Sequence, residues 1–230
     1  MSQRVSGKAV AFMMLGVIVV LIGLHITART CFAAQACETS FPVLFNYGFY
    51  FDLNKEQNIP TWFSIFQLAL TACLLAIGAF SAQGRGERAL PWFGLTLIFL
   101  YIGLDEMTDF HGYWAPGDVP DLGFEFGHEG FNWVYGGLVV VAIVGLLYLR
   151  WLISIERTFR WQVILAGTVY VTGALFFEAL GGIVADENFS SATYIVMSTF
   201  EESFELIGIT IFLYAIITYF GRHGVQVRFD

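Results

Sequence analysis

The sequence predicts an all-α membrane protein, one bundle of six transmembrane helices with both termini in the cytoplasm. Three observations carry that expectation. Of 230 residues, 57% are hydrophobic and only 13% are charged, too apolar a balance for a soluble domain of this length. Six apolar runs follow one another, each long enough to cross a hydrocarbon core, which takes about 20 helical residues. The basic residues divide unevenly between the loops of such a chain: Arg4, Lys8, Arg85, Arg88, Arg150, Arg157, Arg160, Arg222 and Arg228 fall on one side, and Arg29 and Lys55 on the other. Lysine and arginine collect on the cytoplasmic side, which sets the orientation.

The first span, residues 9–28, has an apolar core longer than the roughly 7–15 residues of a signal peptide and keeps Met1, so an uncleaved anchor is expected. The outer loop 29–59 is aromatic ("FPVLFNYGFYFDLN") and is expected on the outer membrane face. Cys31 and Cys37 lie in it, where an oxidising compartment would permit a disulfide, and Cys73 is expected buried in the second span. That span, 60–82, opens on "NIPTWFS", with Pro60 in the first helical turn and Trp62 in the headgroup belt. The third span is 91–110. A Gly- and Pro-rich acidic loop, "HGYWAPGDVPDLGFEFGHEG", leads to the fourth, 131–152, and the fifth and sixth are 161–184 and 191–220. The chain has no basic patch or nucleic-acid-binding motif, so nucleic acid is not an expected partner; the lipid bilayer is.

The formal charge of −8 describes an interior as much as a surface, because 7 of the 19 acidic residues lie inside these spans. "DEMTD" (Asp105, Glu106, Asp109) and "EESFE" (Glu201, Glu202, Glu205) share one spacing: acid, acid, two others, acid. At about 100° per residue, positions i, i+1 and i+4 fall in one arc of roughly 100°, so each helix aims three carboxylates at one sector. Counted at about 1.5 Å per residue from the cytoplasmic ends, Glu106, Glu205, Glu178, Asp109, Glu202 and His25 all come to ~22–27 Å. They share a level in the outer half of the bilayer, with His111 and "EFGHEG" (Glu125, His128, Glu129) just above. Gly103, Gly181 and Gly208 each lie three residues from one of these acids, where a neighbouring helix can approach closely.

Even one charged side chain near the membrane centre costs roughly 2.5–3.5 kcal/mol on insertion scales. No lysine or arginine is expected at that depth, so bound protons, bound cations or water must neutralise the cluster. Carboxylates with imidazoles suit Fe, Mn or Zn, whereas carboxylates alone suit Ca or Mg. The candidate metal ligands are Glu106, Asp109, His111, Glu178, Glu202, Glu205, His25 and His128. Plainer roles are open as well: His25 as a hydrogen-bonded interfacial residue, His128 as part of a Gly-rich loop, and, outside this ligand set, Glu201 or Asp105 as protonated acids bonded to a neighbouring helix.

Three segments, "FDLNKEQNIPTWFS", "LDEMTDFHG" and "EESFELIGITIFLYA", together resemble a family of uncharacterised bacterial multi-pass inner-membrane proteins. The resemblance covers most of the chain and implies residence in a bacterial inner membrane, with no activity attached. Where that pattern carries His-Glu after the Leu-Asp-Glu helix end, this chain has His111 and Gly112. The functional expectation is an integral membrane protein with a metal site rich in carboxylates and histidine, in its enzyme version a metal-dependent membrane enzyme. The alternatives are a non-catalytic accessory subunit of a larger membrane complex and a protein handling protons or cations. No acid lies in the inner half of any span, so a path through the membrane is weakly supported.

Overall fold

The computed structural model describes residues 6–34, 47–114, 133–185 and 189–225. Six helices in it are long and apolar enough to cross a membrane, and no strand occurs among the described residues. They are α1 (Gly7–Ala34), α2 (Ile59–Gly84), α3 (Leu90–Thr108), α4 (Trp133–Ser154), α5 (Arg157–Ala185) and α6 (Ala192–His223). Each contains the predicted span, or departs from it by a few residues at one end. The expected disulfide between Cys31 and Cys37, and His128 with its "EFGHEG" segment, lie outside the described residues and side chains.

Local chemistry sets the boundaries. Asn58 caps α2, its Oδ1 accepting the N–H of Thr61 at 3.1 Å, and Pro60 occupies the first turn, where its missing N–H costs nothing. Ser191 caps α6 by accepting the N–H of Tyr194 at 3.2 Å, and Gly224 ends it in the left-handed conformation. Helix α5 is not uniform: Thr172–Phe177 form a π-helical turn between the α-helical stretches Arg157–Val171 and Glu178–Ala185. The wider turn shifts the register of everything after it, and Glu178 is the first residue to feel the shift.

Helix α6 is the axis of the bundle, with α1, α2 and α5 packed around it. Its 32 residues span about 48 Å, well beyond a ~30 Å hydrocarbon core. One core cluster joins α2, α3, α5 and α6 around Trp92, which stacks on Phe159 at 5.8 Å. Gly78 makes room for that indole, since a Cβ there would lie 2.8 Å from Trp92 Cε3. A second cluster joins Met14, Ile18 and Leu21 of α1 to Phe63, Leu206 and Leu213. Below the level of Thr71 the fully buried side chains among the described residues are apolar, Leu75, Ala79, Leu213 and Ile216 among them. Cys73 lies in α2 as expected but is exposed, on the side turned away from the bundle, which corrects the expectation that it is buried.

One end of the bundle carries Arg85, Arg88, Arg150, Arg157, Arg160 and Arg222; the other carries the acids of "DEMTD" and "EESFE". At the acidic end the segment from Gly48 to Asn58 folds inward instead of lying flat on the membrane face, and Asp52, Leu53 and Asn58 are buried.

Candidate functional site

The buried part of this segment is pinned from three directions. On α1, Arg29 reaches Asp52 Oδ2 at 2.9 Å, and His25 Nδ1 accepts the N–H of Leu53 at 3.0 Å. On α6, the Tyr194 hydroxyl donates to Asn54 Oδ1 at 3.2 Å. Within the segment, Asn58 Nδ2 donates to the carbonyls of Asp52 at 2.6 Å and Phe49 at 3.1 Å. Burial raises the Asp52 carboxyl, and the Arg29 guanidinium beside it opposes that rise.

Beneath the pinned segment is a cavity of about 420 Å³. Among the described residues eight carboxylates line it: Glu56 from the loop, Asp105, Glu106 and Asp109 from α3 and its C-cap, Glu178 from α5, and Glu201, Glu202 and Glu205 from α6. The i, i+1, i+4 spacing therefore does what helical geometry requires, turning both triplets to one sector. Close helix approach brings α5 and α6 together at this level. A Cβ on Gly208 would lie 2.8 Å from Tyr170 Cβ, and one on Gly173 would lie 3.0 Å from Glu205 Cγ. The small residue expected at Gly208 thus serves this packing, and Gly103 sits in ordinary contact with Leu68 at 3.5 Å. Gly173, within the π turn, makes a close approach to the acids and was not singled out by spacing.

The carboxylates have unequal partners. Asp105 is tied to His111 twice, accepting its backbone N–H at 2.8 Å and facing its Nδ1 at 2.9 Å. His111 Nε2 lies 3.4 Å from Asp109 Oδ1, and the ring packs on Trp133 with centroids 4.5 Å apart. Asp109 takes the left-handed conformation, φ 49°, as the C-cap of α3, which turns the chain so that His111 folds back over its own helix end. Glu178 accepts the indole N–H of Trp133 at 2.9 Å. Ser64 is buried on α2, and Tyr170 lines the cavity together with Glu106 and Glu205. Glu201 and Glu178 line the cavity together, and two carboxyl groups approach closely there only by sharing a proton or a cation. Glu202 has no hydrogen-bond partner among the described residues.

Outside the spans, two lining groups are strongly perturbed. Burial, with the charges of Asp109 and Glu106, raises Glu56 to about 7. Burial alone would lower His111, but the Asp105 hydrogen bond and the charges of Asp105, Asp109 and Glu178 outweigh it and raise the imidazole to about 9.

The sequence-predicted site residues divide accordingly. Glu106, Asp109, His111, Glu178, Glu202 and Glu205 line the cavity together. His25 does not: it is fully buried beside it, with Nε2 3.1 Å from Thr199 Oγ1. Thr199 donates its own proton to the Ile195 carbonyl at 2.6 Å, so Nε2 carries the hydrogen and Nδ1 is free to accept from Leu53. Sequence reasoning passed over Glu56 and Lys55, which reach the cavity from an aperiodic loop. The expectation that no lysine or arginine lies at this level is corrected by Lys55, which lines the cavity, and by Arg29 on Asp52 beside it. Among the described residues, no three His, Cys, Asp or Glu side chains stand close enough to clasp one bare metal ion.

Six apolar spans enclosing a carboxylate-lined cavity at one end define an integral, multi-pass membrane protein. The chain belongs to the family described as "Domain of unknown function (DUF8692)", whose profile matches residues 9–220. Nothing among the curated proteins and nothing among the solved structures matches it.

Proposed function

We propose that this protein binds a hydrated divalent cation in the acidic cavity, at the outer side of a bacterial inner membrane with both termini cytoplasmic. The single observation that carries the reading is the convergence of eight carboxylates on one cavity whose lining, among the described residues, contains one lysine and no arginine. Taking such a cluster out of water is costly unless protons or cations neutralise it. A water molecule's share of liquid volume is about 30 Å³, so an ion with six waters needs roughly 200 Å³. The cavity of about 420 Å³ holds that with room for exchange. The spread of the carboxylates suits an ion that keeps its waters and is gripped through them, as small hard cations commonly are.

His111 is placed as a counter-ion more than as a ligand. Its two nitrogens face Asp105 and Asp109, and an imidazolium has no lone pair to give. The remaining donors are oxygens, which favours Mn, Mg or Ca over the Fe or Zn that imidazole ligation would attract. Metal-assisted chemistry on a substrate entering the cavity is the enzyme form of this reading, with Glu202 and Glu205 of α6, which line the cavity, as groups that can move onto the ion. The apolar core below Thr71 supports a dead-end cavity over a conducting path.

The test is Mn binding to detergent-purified protein, read by electron paramagnetic resonance, for wild type, Glu202→Gln, Glu205→Gln and the exposed Glu87→Gln. Binding in wild type and Glu87→Gln with about tenfold weaker binding in the two cavity variants is expected. Absence of saturable binding of Mn, Mg and Ca to wild type would leave the carboxylates to protons.

A further inference from the structure

Trp133 is the first residue of α4, and its indole forms part of the cavity wall. Three contacts fix the ring. One face packs on His111, with centroids 4.5 Å apart. The six-membered edge lies over Gly137, one helical turn on, where a Cβ would come 3.0 Å from Trp133 Cζ3. The ring also packs against a small apolar cluster of Val134, Leu175 and Ala179. An indole has one polar atom, a nitrogen that can only donate. Held in this way, it donates to Glu178 Oε1 at 2.9 Å.

The same ring joins two walls of the cavity. On α5, Glu178 follows directly on the π turn, and the Trp133 N–H fastens its carboxylate. At the end of α3, the His111 packed on the indole holds Asp105 through its backbone N–H at 2.8 Å and through Nδ1 at 2.9 Å, and its Nε2 faces Asp109 Oδ1 at 3.4 Å. One imidazole–indole pair thus fastens three of the eight carboxylates that line the cavity among the described residues. A carboxylate bonded to a fixed donor reaches an ion only by giving up that bond. The number of carboxylates free to close on an ion separates two hard divalent cations. Ca takes roughly six to eight oxygen ligands in flexible geometry, whereas Mg keeps several waters and is held by one or two carboxylates.

We propose that Trp133 is a specificity-determining residue of the cavity: by keeping Glu178 on its indole N–H it limits how many carboxylates close on the ion, and so favours a cation of the Mg class, which keeps its waters, over Ca. This inference rests on the cation binding proposed above. Packing alone does not require tryptophan here, because a phenylalanine ring would stack on His111 and fill the apolar cluster; the nitrogen is what the larger ring adds. Among the described residues no three His, Cys, Asp or Glu side chains stand close enough to clasp a bare ion, which agrees with carboxylates held apart in this way.

The experiment uses the full chain, purified in detergent and kept at one pH, with displacement of bound Mn by Mg or by Ca read by electron paramagnetic resonance. The quantity compared is the ratio of the half-displacing Ca and Mg concentrations. In wild type Mg is expected to displace Mn at the lower concentration. Trp133→Phe keeps an aromatic ring on His111 and loses the N–H, so the ratio should move toward Ca by about tenfold, the scale on which groups that orient a metal ligand act. Glu178→Gln still accepts the indole N–H but has no charge to offer. Alone it should leave the ratio near the wild-type value, and combined with Trp133→Phe it should abolish the shift. Trp161→Phe, exposed at the basic end of the bundle, is the control and should not move the ratio. A Trp133→Phe ratio equal to wild type, or a shift that persists in the double variant, overturns the proposal while cation binding stands. So does a large change from Glu178→Gln alone, which would make Glu178 a direct ligand and does not depend on the folding of Trp133→Phe. If Mn, Mg and Ca all fail to bind wild type, the cation reading falls and this inference with it.

Discussion

A Cβ placed on Gly173 would lie 2.7 Å from the carbonyl oxygen of Glu201, so at the level of the glutamates α5 and α6 meet backbone to backbone. The contact falls inside the π turn that leads directly into Glu178. Gly173→Ala must push the helices apart, because the obstructing atom is backbone and cannot rotate away. Such overpacking costs about 1–3 kcal/mol. The variant should melt lower than wild type and bind Mn more weakly. Gly167→Ala, on the same helix with open space around it, should be neutral or slightly stabilising. Equal melting of the two variants would show that the close approach is not needed.

The loop over the cavity should be held by α1. Replacing His25 with Ala leaves the buried Leu53 N–H without an acceptor, at a cost of about 1–3 kcal/mol. Asp52→Asn removes the charge that Arg29 pairs with. Both changes should speed tryptic cleavage after the exposed Lys55, while cleavage at Arg85 and Arg88, at the far end of the bundle, serves as the internal reference. An unchanged rate at Lys55 in both variants would mean that other contacts secure the loop.

Much of this arrangement was legible before folding was considered. Charges at helical spacing in an apolar run have only one tolerable direction, inward, so the two acid triplets announced a shared site. Depth counting then placed Glu178 beside them, because rise per residue is fixed. The reading failed where tertiary contact, not periodicity, decides. Glu56 and Lys55 sit in a loop whose path depends on His25, Arg29 and Tyr194. His25 was placed at the right height and given the wrong neighbours, since nothing in its own helix points to Leu53. The π turn leaves no mark in the pattern of apolar residues, yet it aims Glu178.

Glu56 sets a first pH window. Its folded value is raised to about 7, chiefly by burial and then by Asp109 and Glu106, so folding favours its protonated form. Its contribution to stability is complete below the unfolded value of 4.5 and is lost as pH rises through about 7. Melting temperature in chelator should fall across that interval in wild type, and less in Glu56→Gln. Above it the ionised carboxylate is available to a cation, so Mn affinity should rise with pH through about 7 and rise less in the variant. Mn titrations that are independent of pH in wild type would remove Glu56 from the site.

His111 sets a second, higher window. Burial opposes its charge, but Asp105 at 2.9 Å and the charges of Asp109 and Glu178 prevail, raising it from 6.5 to about 9. Because the folded value lies above the unfolded one, the stabilisation is complete below 6.5 and disappears as pH rises through about 9. The imidazolium is then lost from between Asp105 and Asp109, leaving their repulsion to be met by an added cation or not at all. In the Glu56→Gln background, which removes the lower window, melting temperature should fall between pH 7 and about 9. Adding His111→Gln should lower stability at pH 7 and flatten that fall, since glutamine keeps a donor but has no charge to lose. Mn should stabilise the doubly substituted protein more than the Glu56→Gln parent at pH 7, the ion standing in for the missing positive charge. Parallel melting curves for the two proteins across this interval would show that His111 is not the counter-ion of the cluster.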